Sequence, residues 1–286
     1  MATPRHPLRF GLFAAQHQRD WQWILNGFKL AEELNFDSAF IFDHFIPLYG
    51  SQDGPSLDGW TLLAGLAAHT SKLQLGILVT GNTYRNPAVL LKQATTVDHI
   101  SGGRVLFGIG AGWFEREHDA YGIPFPPLKE RVERFGEALA VIDSLLNNER
   151  SNYAGKYYTL KDAPFQPKPV QAKLPILIGA GGPKMLRYVA KYADIWDTLA
   201  STPEDFSQKR RLVEQAAAEI GRDPLQIRYE LAGGGHNLES VDSFRRHLET
   251  YIPLGISDFV FDLPEESHWD TVRRIATEVM PEYRNG

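Results

Sequence analysis

The chain has 286 residues, 43% of them hydrophobic, enough to bury a sizeable core as one α/β barrel or as two domains. Its 30 basic and 35 acidic residues leave a net charge of −5 without long blocks, so no clustered basic face marks a nucleic-acid binder. Cysteine is absent, which excludes disulfides, thiolate nucleophiles and cysteine metal sites and fits a reducing compartment.

The opening residues, MATPRHPLRF, lack the apolar core of a secretory signal. No apolar run approaches the roughly 18 residues of a membrane span. The expectation is a cytoplasmic protein without a membrane partner.

In chain order, apolar runs predict strands at Leu8–Ala14, Ser38–Phe42, Leu73–Thr80, Val105–Gly110, Pro175–Gly179, Asp194–Leu199, Gln226–Ala232 and Asp258–Leu263. Several are apolar at consecutive positions, the pattern of parallel strands covered on both faces. Helical stripes lie between them. Ile24, Phe28, Ala31 and Leu34 share one face behind Asp20, which is placed to cap. Asn86 and Pro87 read as N-cap and first helical residue before Leu90, Ala94 and Val97. The cleanest stripe is Leu128, Val132, Phe135, Leu139, Ile142 and Leu146. Thr202-Pro203-Glu204-Asp205 starts another helix; Phe244, Leu248 and Tyr251 mark the next, and Val272, Ile275 and Val279 the last.

Most strand starts are one strand-plus-helix unit apart. The long interval before Pro175 needs an excursion, and residues 147–174 supply it: "NYAGKYYTL" reads as a hairpin and "PFQPKPVQ" as an extended return. Eight strands alternating with helices predict one (β/α)8 TIM barrel over residues 1–286, with that insertion before the fifth strand. A doubly wound open sheet is the alternative, because periodicity does not prove closure.

In a barrel, function collects where strands end. The second strand ends in "FIFDHF", placing Asp43 and His44 at the mouth, where an imidazole beside a carboxylate suits acid–base work. The third ends in "GILVTGNTYRNP", with Thr80, Gly81 and Asn82. The fourth carries Gly108, Gly110 and Gly112, followed by Trp113, Glu115, Arg116, Glu117 and His118. Glycine within a strand marks close approach of backbone or ligand. The fifth ends in "ILIGAGGPKML", where Gly179, Gly181 and Gly182 precede Pro183; free backbone N–H groups at a helix start suit a phosphate. "AGGGHN" after the seventh strand is a weaker glycine-rich end. No H-E-x-x-H, G-x-S-x-G or Walker A pattern occurs, and no metal site is expected.

Together, "FDHF", "TGNTYRNPAVLLKQATTVDHISGGRVLFGIGAGWFEREHDAYGIPF" and "PILIGAGGP" resemble the luciferase-like monooxygenase superfamily, nearest to its coenzyme F420-dependent oxidoreductases. The resemblance runs from about Phe10 to Tyr283 and is strongest between Phe42 and Pro183. It implies a barrel holding F420, or FMN as the alternative, at its C-terminal mouth. The cofactor ring would lie near Asp43 and His44, over a bulge with a non-prolyl cis peptide at Leu78-Val79 and beside Thr80, Gly81, Gly110 and Gly112. The phosphate would lie near Ala180, Gly181 and Gly182. His44 would donate or accept the proton and Asp43 would orient it, with Trp113 and the insertion walling a small-molecule substrate.

The sugar-phosphate dehydrogenases of that group carry a glutamate where this chain has Ala111 and a tryptophan where it has Leu48. A smaller, weakly polar organic substrate is therefore expected, with Glu115 as the candidate substitute acid. The resemblance also allows a homodimer. A luciferase-like enzyme using FMN, a non-catalytic cofactor-binding barrel and a phosphate-binding barrel isomerase remain open readings.

Overall fold

Short runs of apolar residues bounded by turns become strands, and the amphipathic segments between them cover the outside. We describe a computed structural model covering residues 6–199, 202–233 and 236–284. The first half runs β1 (Arg9–Phe13), α1 (Trp21–Glu33), β2 (Ser38–Ile41), α2 (Gly59–Ala68), β3 (Gln74–Ile77), β4 (Thr80–Gly81), α3 (Pro87–Ser101) and β5 (Val105–Gly110). Two helices, α4 (Glu115–Tyr121) and α5 (Leu128–Asn147), lead into an antiparallel hairpin of β6 (Arg150–Ala154) and β7 (Thr159–Pro164). The second half runs β8 (Ile176–Gly179), α6 (Pro183–Tyr192), β9 (Ile195–Asp197), α7 (Pro203–Glu219), β10 (Arg228–Ala232), α8 (Val241–Tyr251), β11 (Asp258–Asp262), α9 (Trp269–Arg274) and α10 (Met280–Arg284).

The strands are ordered β3-β2-β1-β11-β10-β9-β8-β5, and β3 pairs again with β5, so the ring closes. Every pairing in it is parallel. This is the (β/α)8 barrel, and the open sheet is excluded. The β6–β7 hairpin stands inside the expected excursion. Alternate residues fill the barrel: Phe40, Leu106, Leu177, Ile195 and Val260 form the inner cluster, with Leu78 and Val79 packed on it. The larger outer core, with Phe10, Phe28, Phe107 and Phe259, lies between strands and helices.

The helix starts follow the sequence signals. Asp20 accepts from the Trp23 N–H at 2.8 Å, Asn86 from Ala88 at 2.9 Å and Thr202 from Asp205 at 3.1 Å. Helix α2 has no counterpart in the sequence reading, because "GWTLLAGLAA" is apolar almost all round and shows no stripe.

Only β5 keeps its expected bounds; the other seven strands are shorter, most by one residue at an end, and three differ further. Gln226 lies in a 3-10 turn ahead of β10, and β9 stops at Asp197, before Leu199 takes a positive φ of 43°. The third strand is broken. Gly76 pairs with Leu106 and Thr80 with Ile109, so Ile77, Leu78 and Val79 stand opposite only Phe107 and Gly108. That extra residue is a bulge. The Leu78-Val79 peptide within it is cis, at the position the family resemblance implied.

Candidate functional site

A cavity of about 1280 Å³ opens at the C-terminal end of the barrel, and every barrel position contributes to its wall. The strand ends supply Phe13, Phe42, the Leu78–Gly81 stretch, Gly110, Gly179, Asp197 and Asp262. Glycine lets the strand ends and the bulge pack closely here. A Cβ on Gly108 would sit 1.9 Å from the Ile77 carbonyl oxygen, so only glycine lets β5 lie against the bulge. Gly112 has a φ of +79°, and a Cβ there would meet Thr83 Oγ1 at 2.6 Å. Val79 fills the space facing Gly110 and Gly179, where added Cβ atoms would lie 3.0 and 3.1 Å from its Cγ2.

The "FDHF" segment beyond β2 is pinned one residue at a time. Gln16, fully buried, donates to the Phe42 carbonyl at 2.7 Å and accepts from its N–H at 3.1 Å. Asp43, also fully buried, takes a two-pronged grip from Arg85, at 2.5 and 3.1 Å. Arg85 reaches Asp58 as well, at 3.2 Å, and Asp58 caps α2. His44 Nδ1 lies 2.6 Å from Glu117 Oε1. The Phe45 N–H donates to the other Glu117 oxygen at 2.8 Å, and the Tyr84 hydroxyl donates to Oε1.

An ionised carboxylate only accepts, so His44 Nδ1 carries a hydrogen and Nε2 is the nitrogen left to face a ligand. Glu117 has no solvent exposure. Burial pushes its carboxyl up, but the His44, Tyr84 and Phe45 donors outweigh that and hold it below its usual range. The carboxylate is therefore ionised beside the imidazole, the arrangement by which a second group fixes a histidine's tautomer and orientation. Burial likewise pushes the Asp43 carboxyl up, against the pull of Arg85.

His44 lines the cavity, whereas Asp43 and Glu117 stand behind it. Asp43 does not line the cavity, so the orienting role expected of it would act through the chain it holds and not by touching a ligand. Of the expected cofactor positions, Leu78, Val79, Thr80, Gly81, Gly110, Gly112, Ala180 and Gly181 all line the cavity. Gly182 does not; it is the N-cap of α6, one step outside. Trp113 lines the cavity while 64% exposed, as a rim wall. Its ring meets His44 edge-on at 5.8 Å.

Glu115 is exposed on the first turn of α4 and is not part of the wall. The carboxylate that reaches His44 is Glu117, two residues on. The turn of α4 carries Glu117 and His118 inward and leaves Glu115, the candidate substitute acid, outside.

Sequence reasoning missed Gln16, His17, Tyr84, Arg85 and Asp197. His17, on the cavity wall, accepts from the Leu48 N–H through Nδ1 at 2.9 Å and stacks on Phe42 at 4.0 Å. Burial, then the neighbouring His44, lowers its pKa to about 4, so it is neutral. No spacing rule marks these residues, because their partners lie on other strands. The "AGGGHN" stretch lies partly outside the described residues, at Gly234 and Gly235. Among the described residues no cluster of three metal-ligating side chains occurs, and no helix is long and apolar enough to cross a membrane.

The anion-binding expectation fits the local chain. Gly182 supplies no side-chain cap to α6, and the first helical bond runs from the Leu186 N–H to the Gly182 carbonyl, leaving the first-turn N–H groups for a ligand. Lys209 Nζ lies 3.5 Å from where a Gly181 Cβ would be, adding a cation beside that turn.

Comparison with known proteins follows this geometry. The chain is 35% identical over 206 residues to an F420-dependent glucose-6-phosphate dehydrogenase of Microbacterium testaceum, covering 71% of this chain and 60% of that protein. It is 38% identical over 192 residues to a phthiodiolone/phenolphthiodiolone dimycocerosates ketoreductase of Mycobacterium tuberculosis, covering 64% of this chain and 49% of that one. The chain thus spans about half to three-fifths of the length of the curated relatives it matches. In fold it is similar to an F420-dependent secondary alcohol dehydrogenase solved with an F420-acetone adduct, with a TM-score of 0.84 at 20% identity over 94% of this chain and 98% of that one. The family model for luciferase-like monooxygenases matches residues 8–278, and the chain belongs to that family.

Proposed function

We propose that the protein is an F420-dependent oxidoreductase that moves a hydride between the deazaflavin and a small, weakly polar alcohol or ketone. The observation that carries the reading is His44, held by the buried Glu117 carboxylate with Nε2 left for the cavity. The relatives named above, called F420-dependent dehydrogenase and ketoreductase, support the cofactor and the reaction class.

The residues present fit the cofactor. Gly110 and Gly179 line the cavity and let Val79 lie close against them, so the Leu78–Thr80 bulge offers a surface on which a flat ring would rest. The Ala180–Gly182 turn and the start of α6, with Lys209 close by, would hold its phosphate. F420, when bound, supplies two-electron hydride chemistry. His44 takes the alcohol proton in one direction and returns it in the other, so the protein balances charge at the carbon that gains or loses hydride. Glu117 holds the imidazole in one tautomer and stabilises its charged form. Asp43 and Arg85 fix the backbone that presents it. Ala111 and Leu48 put no acid and no indole at those two wall positions, which supports a weakly polar substrate. The reading further places the enzyme in the cytoplasm, as a homodimer that sedimentation would detect.

The test is binding. Purified protein is titrated with F420 and with FMN, then screened against secondary alcohols and their ketones by the cofactor's absorbance. Tight F420 binding with turnover is expected; tight FMN and negligible F420 binding would overturn the reading.

A further inference from the structure

Behind the cavity wall runs a row of charged side chains that the proposed chemistry does not use. Asp197 on β9 stands in register with Glu230 on β10, which stands in register with Asp258 on β11, which is paired with Arg9 on β1. All three carboxylates lie on the inner face, two residues from the inner-cluster members Ile195, Ala232 and Val260. They are 4%, 2% and 5% exposed. Because the strands are staggered, the row descends from Asp197, at the mouth, to Asp258 and Arg9, at the base.

The cations gather at the lower end. Arg228 lies 3.1 Å and Arg9 3.9 Å from Asp258. Asp197 instead accepts from the Leu199 and Ala232 backbone N–H groups, and Glu230 Oε1 has no hydrogen-bond partner among the described residues. The titratable and charged groups that bear on the pair are Arg228 on β10, Asp258 on β11, Arg9 on β1 and, beside Asp258, His6; β8 presents Gly179. Among the described residues the two guanidiniums and His6 all gather at the Asp258 end, which leaves Asp197 and Glu230 without a cation paired to them, and a buried charge without a partner is neutralised by a proton.

We propose that Asp197 and Glu230 hold one proton between them, so that Asp197 presents a neutral carboxylic acid, a hydrogen-bond donor, to a carbonyl oxygen at the cavity floor. Burial pushes both carboxyls up, Asp197 to about 7 and Glu230 well above its usual range, in the direction that missing cation requires. A donor at that place selects a neutral acceptor and turns away a carboxylate. Both the dione ring of a deazaflavin and a ketone substrate carry such an oxygen. The ligand part of this inference rests on the F420 reading; the proton part does not.

Two measurements separate them. In ligand-free protein, the infrared carbonyl band of a protonated carboxylic acid is followed from pH 5 to pH 9 in wild type, Asp197→Asn and Glu230→Gln. Wild type is expected to show a band that fades as the pH rises through about 7. Each variant removes one partner and with it the repulsion between the two carboxylates, so that band is lost at neutral pH, while other buried acids such as Asp43 cancel in the difference. A wild type without the band, or a band unchanged in both variants, overturns the proton pair.

The second measurement compares F420 affinity of wild type, Asp197→Asn, which keeps a donor, and Asp197→Leu, which has none. A loss of about tenfold in the leucine variant alone, the worth of one hydrogen bond, assigns the donor to the cofactor. Unchanged F420 affinity with a KM for ketone raised about tenfold assigns it to the substrate. Neither change overturns the donor role. A wild type with the infrared band that binds no F420 sinks the cofactor reading and leaves the proton pair standing.

Discussion

Removing the Glu117 side chain tests the site most directly. Glu117→Ala deletes the acceptor for three donors at once: His44 Nδ1–H, the Phe45 N–H and the Tyr84 hydroxyl. Each buried donor left unpaired costs about 1–3 kcal/mol. His44 is buried, whereas Phe45 and Tyr84 are half-buried and recover part of their loss from water. The sum therefore falls at about 2–5 kcal/mol, overlapping the range for breaking a buried ion pair from one side. Urea unfolding followed by circular dichroism reads this loss. Glu117→Gln keeps the shape and one acceptor and should lose about half as much. Turnover should fall in the alanine variant, because the imidazole is no longer held in the tautomer that leaves Nε2 free, and fall less in the glutamine variant, which keeps an acceptor but loses the charge that stabilises the imidazolium. A loss below about 1 kcal/mol in the alanine variant, with turnover intact, would refute the argument that Glu117 organises His44.

Other outcomes follow from the same geometry. His44→Ala should slow cofactor reduction by a confirmed substrate about 10²–10⁴-fold with little change in F420 affinity; a wild-type rate removes the histidine from the chemistry. Gly108→Ala should destabilise the barrel by about 1–3 kcal/mol or more, since its methyl meets the Ile77 carbonyl at 1.9 Å; thermal melting reads it, and an unchanged melting temperature contradicts the close approach. His17 is bound neutral, with its pKa depressed from 6.5 to about 4. Its contribution to stability is complete above pH 6.5 and is lost as the pH falls toward 4, so His17→Gln, which keeps an acceptor for Leu48, should flatten the acid limb of the stability profile. Trp113→Ala should raise KM more than it lowers kcat, because the indole walls the pocket without holding a proton.

The fold was legible in the sequence wherever a pattern is local. A capping residue before an apolar stripe located α1 and α3, and consecutive apolar residues located β2 and β5. It failed where the signal is tertiary or missing. Helix α2 is apolar on nearly every side, so nothing distinguished a stripe, and the break in the third strand shows only in the register against β5. The site divides the same way. His44 was legible because strand ends collect function, and the Ala180–Gly182 turn because glycines precede a helical proline. Glu117, Arg85 and Gln16 were not, because each reaches the "FDHF" segment from a distant part of the chain. Of the two glutamates that open α4, the turn of the helix brings Glu117 inward and leaves Glu115 exposed.

The glycines around the cavity alter what mutagenesis measures there. At most binding sites alanine substitution is a subtraction, and lost affinity reports a lost side chain. At Gly110, Gly112 and Gly179 on this wall the same scan performs addition, and the added atoms meet Val79 or Thr83 first. A loss of binding there reports a displaced bulge or loop, so each such variant is read together with its stability.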